Sequence, residues 1–132
     1  MSGGHYNQVE MTVPADADYL KDVRRLVSTF AAQCGADDQK IADVVLAANE
    51  AASNVVLHAY GNDGGPLRIR GWQAEHGLTI EVSDNGTPVA KPASGRVGGL
   101  GLDLIGKVCD EVDVEGPGEY GTRLEMTFTL RP

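Results

Sequence analysis

The chain is poor in cysteine. Only Cys34 and Cys109 occur among its 132 residues, too few for a disulfide scaffold or for a four-cysteine zinc site. Two thiols so far apart in the sequence are typical of reduced, half-buried side chains in a reducing compartment. The composition therefore predicts a cytoplasmic protein that is held together by a hydrophobic core and not by covalent cross-links.

Long apolar runs are absent as well. No stretch approaches the roughly 18 consecutive apolar residues that a membrane span requires. The N-terminal segment MSGGHYNQVEM lacks the basic and the apolar regions of a secretory signal peptide. Hydrophobic residues make up 42% of the chain, an ordinary proportion for a globular protein. Since a chain of this length has room for one core, we expect a single domain over residues 1–132 and no membrane partner.

Basic residues are few and scattered. The chain has 11 lysines and arginines against 19 aspartates and glutamates, which gives a net charge of −8. Arg24 and Arg25 are the only adjacent basic pair. Binding to a nucleic-acid backbone requires clustered positive charge, so the sequence argues against a direct nucleic-acid partner. The acidity favours solubility and is compatible with a protein partner that has a basic face.

Hydrophobic periodicity divides the chain into strands and helices. Alternation over residues 5–13 predicts an edge strand that ends at Pro14. Helical spacing then predicts two helices, the first capped by Asp16 and ended by Gly35, the second running from Asp37 or Asp38 to near Gly61.

Strands dominate the second half of the chain. The remaining predicted elements are strands over 67–74 and 78–83, a short helix over 99–109, and strands over 111–115 and 123–130. A tight connection through His76-Gly77 joins the first two of these strands. Because the order lacks a strict strand–helix–strand rhythm, we predict a mixed, mostly antiparallel sheet with helices on one face. This fold class is an α/β two-layer sandwich.

The second predicted helix has two different faces. Its core stripe comprises Ile41, Val44, Val45, Ala48, Ala52, Val55, Val56 and Ala59. Glu50 and Asn54 lie one turn apart and nearly opposite this stripe. On an isolated surface helix they would be a solvated polar pair. Ala47, Ala51 and Leu57 flank them, however, and a mixed second face fits a helix between a sheet and a ligand pocket.

Three glycine-containing segments follow in the second half of the chain. Asp84-Asn85-Gly86-Thr87-Pro88 comes directly after the predicted strand LTIEVS, where such a sequence commonly forms a turn. Residues 98–101 open the short helix, where glycines either give flexibility or let backbone N–H groups approach an anion. Gly121-Thr122 begins the last strand. The connection over residues 84–99 is long for a compact domain, and such loops are often functional.

In this order and spacing, the four segments resemble the Bergerat-fold ATPases, the superfamily of gyrase B, Hsp90, histidine-kinase catalytic domains and MutL. Residues 50–54 match the helix motif of that superfamily, and residues 84–88, 98–101 and 121–122 match its glycine motifs. Within the superfamily the chain is most similar to the anti-sigma-factor serine kinases. That similarity is carried by NEAASNVVLHAY and GGLGLDLIGKVCDEVDVE, and it extends over residues 9–130.

The resemblance implies an ATP site with Mg²⁺. By resemblance, Asn54 supplies an oxygen to the metal, a type of ligand that Mg²⁺ prefers. Asp84 accepts a hydrogen bond from the adenine amino group, Gly86 keeps the strand end open for the base, and Thr122 supports adenine recognition. Glu50 is the implied catalytic base for the attacking hydroxyl. The implied phosphate-binding residues are Gly98, Gly99, Leu100 and Gly101.

Some residues of the matching segments depart from the motif or have no implied role. Pro88 stands where the general motif has its second glycine, and its fixed φ predicts a stiffer start of the following loop. Lys91 and Arg96 in that loop are either solvated or within reach of phosphate. His58 and Tyr60 belong to the matching helix segment, but the resemblance gives their side chains no chemical role.

Other patterns in the chain favour no competing site. Gly116-Pro-Gly-Glu-Tyr-Gly121 matches Gly-x-Gly-x-x-Gly, but a strand follows it and not a helix, so we predict a hairpin. The chain has no Walker A sequence and no His-Arg-Asp or Asp-Phe-Gly motif. His5, His58 and His76 are far apart and indicate no zinc site.

The resemblance leaves three functions open. The first is a protein-serine kinase and anti-sigma factor whose partners are a sigma factor and a STAS-type antagonist, the serine substrate. The second is a binding module that uses ATP to shape a partner surface without significant transfer. The third, a detached histidine-kinase catalytic domain, is disfavoured because the sequence carries no dimerisation helices or phosphoacceptor histidine segment. Members of the family form homodimers, and the predicted N-terminal edge strand is a candidate for pairing.

Overall fold

The computed structural model describes residues 6–61, 63–86, 102–118 and 121–130. Within these ranges it contains five strands, three α-helices and one turn of 3₁₀ helix at Ala17–Tyr19. The strands are β1 (Gln8–Pro14), β2 (Pro66–Ala74), β3 (Gly77–Asp84), β4 (Glu111–Gly118) and β5 (Gly121–Thr129). The helices are α1 (Leu20–Gln33), α2 (Asp38–His58) and α3 (Leu102–Val108).

The five strands form one sheet in the order β1-β2-β3-β5-β4. All four pairings among the described strands are antiparallel, so the sheet lacks the parallel part of the predicted mixed sheet. The predicted tight turn is confirmed, because Ala74 pairs with Gly77 at the β2–β3 hairpin. The pairing of β3 with β5 places Asp84 directly opposite Thr122. This register brings two of the predicted site residues together at one end of the sheet.

The core lies between the sheet and the helices. Alternate residues of β2, β3 and β5 point into it, with Ile69, Ile80 and Phe128 fully buried. They join Val27, Phe30 and the apolar stripe of α2 in one hydrophobic cluster. The opposite face of the sheet is polar, so the α/β two-layer sandwich predicted from the sequence is confirmed. No helix in the described part of the chain is both long and apolar enough to span a membrane.

Local capping signals determine the limits of the helices. The Asp16 side chain accepts from the backbone N–H of Asp18 and caps the 3₁₀ turn that leads into α1. The chain leaves α1 through Gly35, whose φ of +94° is costly for residues with a Cβ. Asp37 caps α2 by accepting from the N–H of Lys40 at 2.8 Å. The helix ends at His58, earlier than the predicted end near Gly61.

The buried stripe of α2 differs from the predicted one. The fully or nearly buried residues of the helix are Val44, Ala47, Ala48, Ala51, Ala52 and Val55. Ala47 and Ala51 thus belong to the core, because α2 packs against both α1 and α3 and small side chains allow both helices to approach. Leu57, at 69% exposure, lies outside the core. Glu50 and Asn54 are half-buried, with Asn54 at the edge of the stripe and Glu50 farther round the helix.

Both cysteines are free thiols in the core cluster. They are buried, and not half-buried as the sequence predicts. Burial raises the pKa of Cys34 to about 11, and a side-chain hydrogen bond with Asn7 partly offsets this effect. The thiol is therefore protonated at neutral pH, and a protonated buried thiol is a structural group and a poor nucleophile.

Candidate nucleotide-binding site

The centre of the site is the carboxylate of Asp84, the last residue of β3. Its side chain is only 8% exposed, and Oδ1 accepts from the backbone N–H of Gly86 at 2.8 Å. Burial raises the pKa of Asp84, and the backbone N–H groups of Gly86 and of Thr122 on the neighbouring strand partly offset that effect. A carboxylate has about four acceptor positions, so it retains capacity for a donor from a ligand.

Two glycines allow the backbone to close tightly around this carboxylate. A Cβ on Gly86 would lie 2.1 Å from the carbonyl oxygen of Ala59, just beyond the end of α2. A Cβ on Gly121, which has a φ of +95°, would lie 2.0 Å from the carbonyl oxygen of Asp84. Neither position has room for any other residue without movement of the backbone. The ends of β3 and α2 and the start of β5 therefore meet at one point.

The polar residues of α2 extend away from this point. With a rise of about 1.5 Å per residue, Asn54 lies about 7.5 Å and Glu50 about 13.5 Å from Ala59 along the helix axis. Both side chains are half-buried and one turn apart. Asn54 and Glu50 therefore lie at increasing distances from the Asp84 turn along the axis of α2.

The donor set at this site fits Mg²⁺ bound together with a phosphate ligand. In the described ranges no three His, Cys, Asp or Glu side chains cluster closely enough to hold a metal ion. Mg²⁺ is commonly held by one or two protein oxygens while phosphates and waters complete its shell. The side-chain amide of Asn54 offers such an oxygen.

Tyr60 is a site residue to which the sequence analysis gives no role. Its hydroxyl contacts the backbone of Asn85, the residue between Asp84 and Gly86. Its place in the matching helix segment was the one indication in the sequence that Tyr60 belongs to the site. The sequence does not show which backbone groups a tyrosine just beyond the end of a helix contacts. The structure reveals the contact because residues 60 and 85 are adjacent only in the fold.

The structure brings together only part of the predicted site. Asp84, Gly86 and Thr122 lie at one end of the sheet, and Glu50 and Asn54 lie on the adjacent helix. The predicted phosphate-binding residues lie outside the described residues, and they are Gly98, Gly99, Leu100 and Gly101. The loop residues Pro88, Lys91 and Arg96 lie outside them as well. The phosphate end of the site remains a prediction from the sequence.

Comparison with known proteins identifies the family. The family described as the histidine kinase-like ATPase domain matches residues 13–128. The chain belongs to this family. The match runs from the end of β1 through most of β5, so this histidine kinase-like ATPase domain includes α2, β3 and the start of β5, the elements that form the site.

Several relatives of this histidine kinase-like ATPase domain carry functional names. An anti-sigma F factor of Caldanaerobacter subterraneus subsp. tengcongensis is 29% identical over 132 residues, 92% of each chain. The serine-protein kinase RsbW of Bacillus thuringiensis is 31% identical over 124 residues, 83% of this chain and 78% of the relative. These relatives confirm the family that the sequence predicts.

A solved structure supports the fold. The crystal structure of the RsbU and RsbW domains of a Mycobacterium tuberculosis protein aligns with a TM-score of 0.70 and 24% identity. The alignment covers 96% of this chain and 33% of that longer chain. At this identity the similarity concerns the fold alone, and it confirms the predicted two-layer architecture.

Proposed function

We propose that the protein binds ATP with Mg²⁺ and transfers the γ-phosphate to a serine of a STAS-type antagonist protein. We also propose that it binds a sigma factor and acts in the cytoplasm. Relatives named anti-sigma F factor and serine-protein kinase RsbW support both parts. The observation that carries the proposal is the buried Asp84 carboxylate, which accepts from the Gly86 N–H in a turn that packs against the end of α2.

Asp84 selects the base. The exocyclic amino group of adenine donates hydrogen bonds, whereas guanine presents a carbonyl oxygen at the same position. A fixed carboxylate accepts from the first and repels the second. Sites built around such a buried polar group reject the wrong ligand strongly, because the group is then left unpaired. Thr122 stabilises the same carboxylate through its backbone N–H, a contact that the sequence-based role for its hydroxyl does not include.

Asn54 and Glu50 act at the other end of the ligand. ATP supplies the phosphoryl group, and Mg²⁺, when bound with it, would neutralise the charge that develops on the phosphate oxygens. Asn54 offers an oxygen ligand to the metal. Glu50, one turn away, accepts the proton of the serine hydroxyl while the serine oxygen bonds to the γ-phosphorus. The bond from the γ-phosphorus to the β,γ-bridging oxygen breaks in the same step, and ADP leaves. A general base contributes about 10²- to 10⁴-fold to a reaction rate.

The role of Glu50 is tested with the isosteric variant Glu50→Gln and radioactive ATP. We expect transfer to a STAS-domain serine to slow by about 10²-fold or more while ATP affinity changes little. Asp43→Asn is the matched control, because it removes a carboxylate from the same helix about two turns away. Transfer by Glu50→Gln at the wild-type rate would show that Glu50 is not the base.

A second candidate function is an ATP-dependent binding module that transfers phosphate slowly or not at all. It is favoured by the relative whose name, anti-sigma F factor, mentions no kinase activity. Both candidates need Asp84 and Asn54, but only the kinase needs Glu50. A sigma-factor pull-down with and without ATP, run beside the transfer assay, separates them: ATP-dependent capture without phosphoserine supports the binding module.

The edge strand β1 is a candidate surface for a homodimer, which we propose by analogy with the family. One side of β1 pairs with β2, and Val9, Met11 and Val13 pack against the core. Its other backbone edge is the part left for a second copy. Light scattering after gel filtration would give a mass of about twice 13.9 kDa for such a dimer, and a monomer mass at all concentrations would contradict it.

A further inference from the structure

Tyr60 links three segments of the chain around the Asp84 turn. It lies two residues beyond the end of α2, and its hydroxyl donates to the carbonyl oxygen of Pro66, the first residue of β2, at 2.5 Å. The same hydroxyl accepts from the backbone N–H of Asn85 at 2.7 Å. One side chain thus connects the end of the helix and the start of a strand with the turn that carries the site carboxylate.

The ring of Tyr60 occupies a position that the neighbouring chain leaves open for it. A Cβ on Gly65 would lie 2.2 Å from the ring, so no larger residue fits there while the ring is in place. Gly65 is itself held, because its carbonyl oxygen accepts from the N–H of Ala15 at 2.9 Å. Ring and hydroxyl are therefore fixed together.

The Tyr60 hydroxyl remains protonated under ordinary conditions. Burial raises its pKa, the hydrogen bond from the Asn85 N–H lowers it, and the nearby negative charge of Asp84 raises it. A protonated phenol both donates one hydrogen bond and accepts others. The two observed contacts, donation to Pro66 and acceptance from Asn85, use the hydroxyl as both donor and acceptor.

We propose that Tyr60 is a positioning residue that holds the Asp84–Gly86 turn in its adenine-recognising geometry before nucleotide binds. This inference rests on the proposed function, since it assigns the turn to adenine. Tyr60 acts through Asp84 and need not contact the ligand. Fixing a recognition group in advance removes an ordering cost from binding, and the benefit falls on the ligand that uses that group. Tyr60 therefore favours ATP over GTP.

The test compares Tyr60→Phe with Tyr19→Phe in calorimetric titrations with ATP–Mg²⁺ and GTP–Mg²⁺. Phenylalanine keeps the ring against Gly65 and removes both hydrogen bonds, while Tyr19 is exposed and lies at the start of α1. We expect Tyr60→Phe to weaken ATP binding by about tenfold, equal to about 1.4 kcal/mol, and to leave the weak GTP binding unchanged. Tyr19→Phe should retain the wild-type preference for ATP.

Amide exchange in the nucleotide-free protein provides a second readout that does not depend on ATP. We expect the N–H groups of Asn85 and Gly86 to exchange about tenfold faster in Tyr60→Phe than in wild type, with no change in Tyr19→Phe. Unchanged exchange in Tyr60→Phe would overturn the inference. A Tyr60→Phe protein with a lower unfolding midpoint but an unchanged preference for ATP would also overturn it, because a purely structural role for Tyr60 predicts that result.

The two readouts separate failure of the inference from failure of the proposed function. If wild type binds no ATP, the proposed function is overturned, and the exchange rates alone still decide whether Tyr60 holds the turn. If wild type binds ATP and Tyr60→Phe binds it equally well, only the inference is overturned.

Discussion

Replacing Gly86 by alanine tests the close contact on which the geometry of the site depends. The new Cβ would lie 2.1 Å from the Ala59 carbonyl oxygen, and a separation under 3.0 Å is essentially never seen. The obstacle is backbone at the end of α2 and cannot turn aside like a flexible side chain. The turn must therefore move by about 1 Å, which lengthens the 2.8 Å hydrogen bond from Gly86 N–H to Asp84 beyond a useful distance.

The expected cost has two parts. Overpacking at a tight site costs about 1–3 kcal/mol of unfolding free energy. Alanine also restricts the unfolded chain, which returns about 0.4–1 kcal/mol at a position where its conformation is allowed. Gly61→Ala isolates this second effect, because a Cβ there meets nothing within 4 Å. We expect Gly86→Ala to be less stable than Gly61→Ala by about 1–3 kcal/mol.

Urea unfolding and calorimetric titration with ATP–Mg²⁺ measure the two consequences. Gly86→Ala should lower the unfolding midpoint and weaken ATP binding at a temperature where the variant is folded, because the Asp84 carboxylate is displaced. Gly61→Ala should change neither by much. A Gly86→Ala protein with the stability and ATP affinity of Gly61→Ala would refute the close-contact argument.

Three further predictions concern pH, the outer sheet face and a helix cap. Burial raises the pKa of Asp84 above its ordinary value of 3.8, so acidification through the native pKa should protonate the carboxylate and weaken ATP binding, as measured by calorimetry. The same protonation favours the folded state over the unfolded state, because the folded state binds this proton more tightly. Glu81→Ala should cost about 1–2 kcal/mol in urea unfolding without changing ATP affinity, because it removes a 3%-exposed carboxylate that pairs with the partly exposed Arg70 and Arg123. Asp37→Ala should lower the same unfolding free energy by about 1 kcal/mol through loss of the α2 cap.

Features with local causes could be predicted from the sequence. Gly35 and Asp37 act within one turn of their own position, through a positive φ and a side-chain cap, and the helix limits they predict are confirmed. Asp16 caps the 3₁₀ turn that precedes α1, and α1 itself begins at Leu20. The strand register was not predictable from one strand, yet it is what sets Asp84 opposite Thr122.

Features that depend on neighbouring elements were missed or misplaced. Alanines contribute little to a hydrophobic pattern, so the burial of Ala47 and Ala51 follows only from the packing of α2 against two helices. Tyr60 forms hydrogen bonds with the backbone groups of Pro66 and Asn85. Such contacts cannot be predicted from the sequence, because they do not depend on which side chains the partner residues carry. The role of catalytic base, which the family resemblance assigns to Glu50, remains a prediction, since phosphoryl transfer depends on a substrate as well as on the site.

The most direct test of the central claim is the nucleotide preference of wild type and of Asp84→Asn, measured by calorimetric titration with ATP–Mg²⁺ and GTP–Mg²⁺. The variant keeps the shape of the side chain but offers an amide in place of a charged acceptor. A hydrogen bond to a charged group is worth about 1.5–3 kcal/mol, so ATP should bind about 10- to 150-fold more weakly to Asp84→Asn. Wild type should bind ATP in clear preference to GTP. Equal affinity of wild type for both nucleotides, or unchanged ATP binding by Asp84→Asn, would contradict the assignment of this carboxylate to adenine.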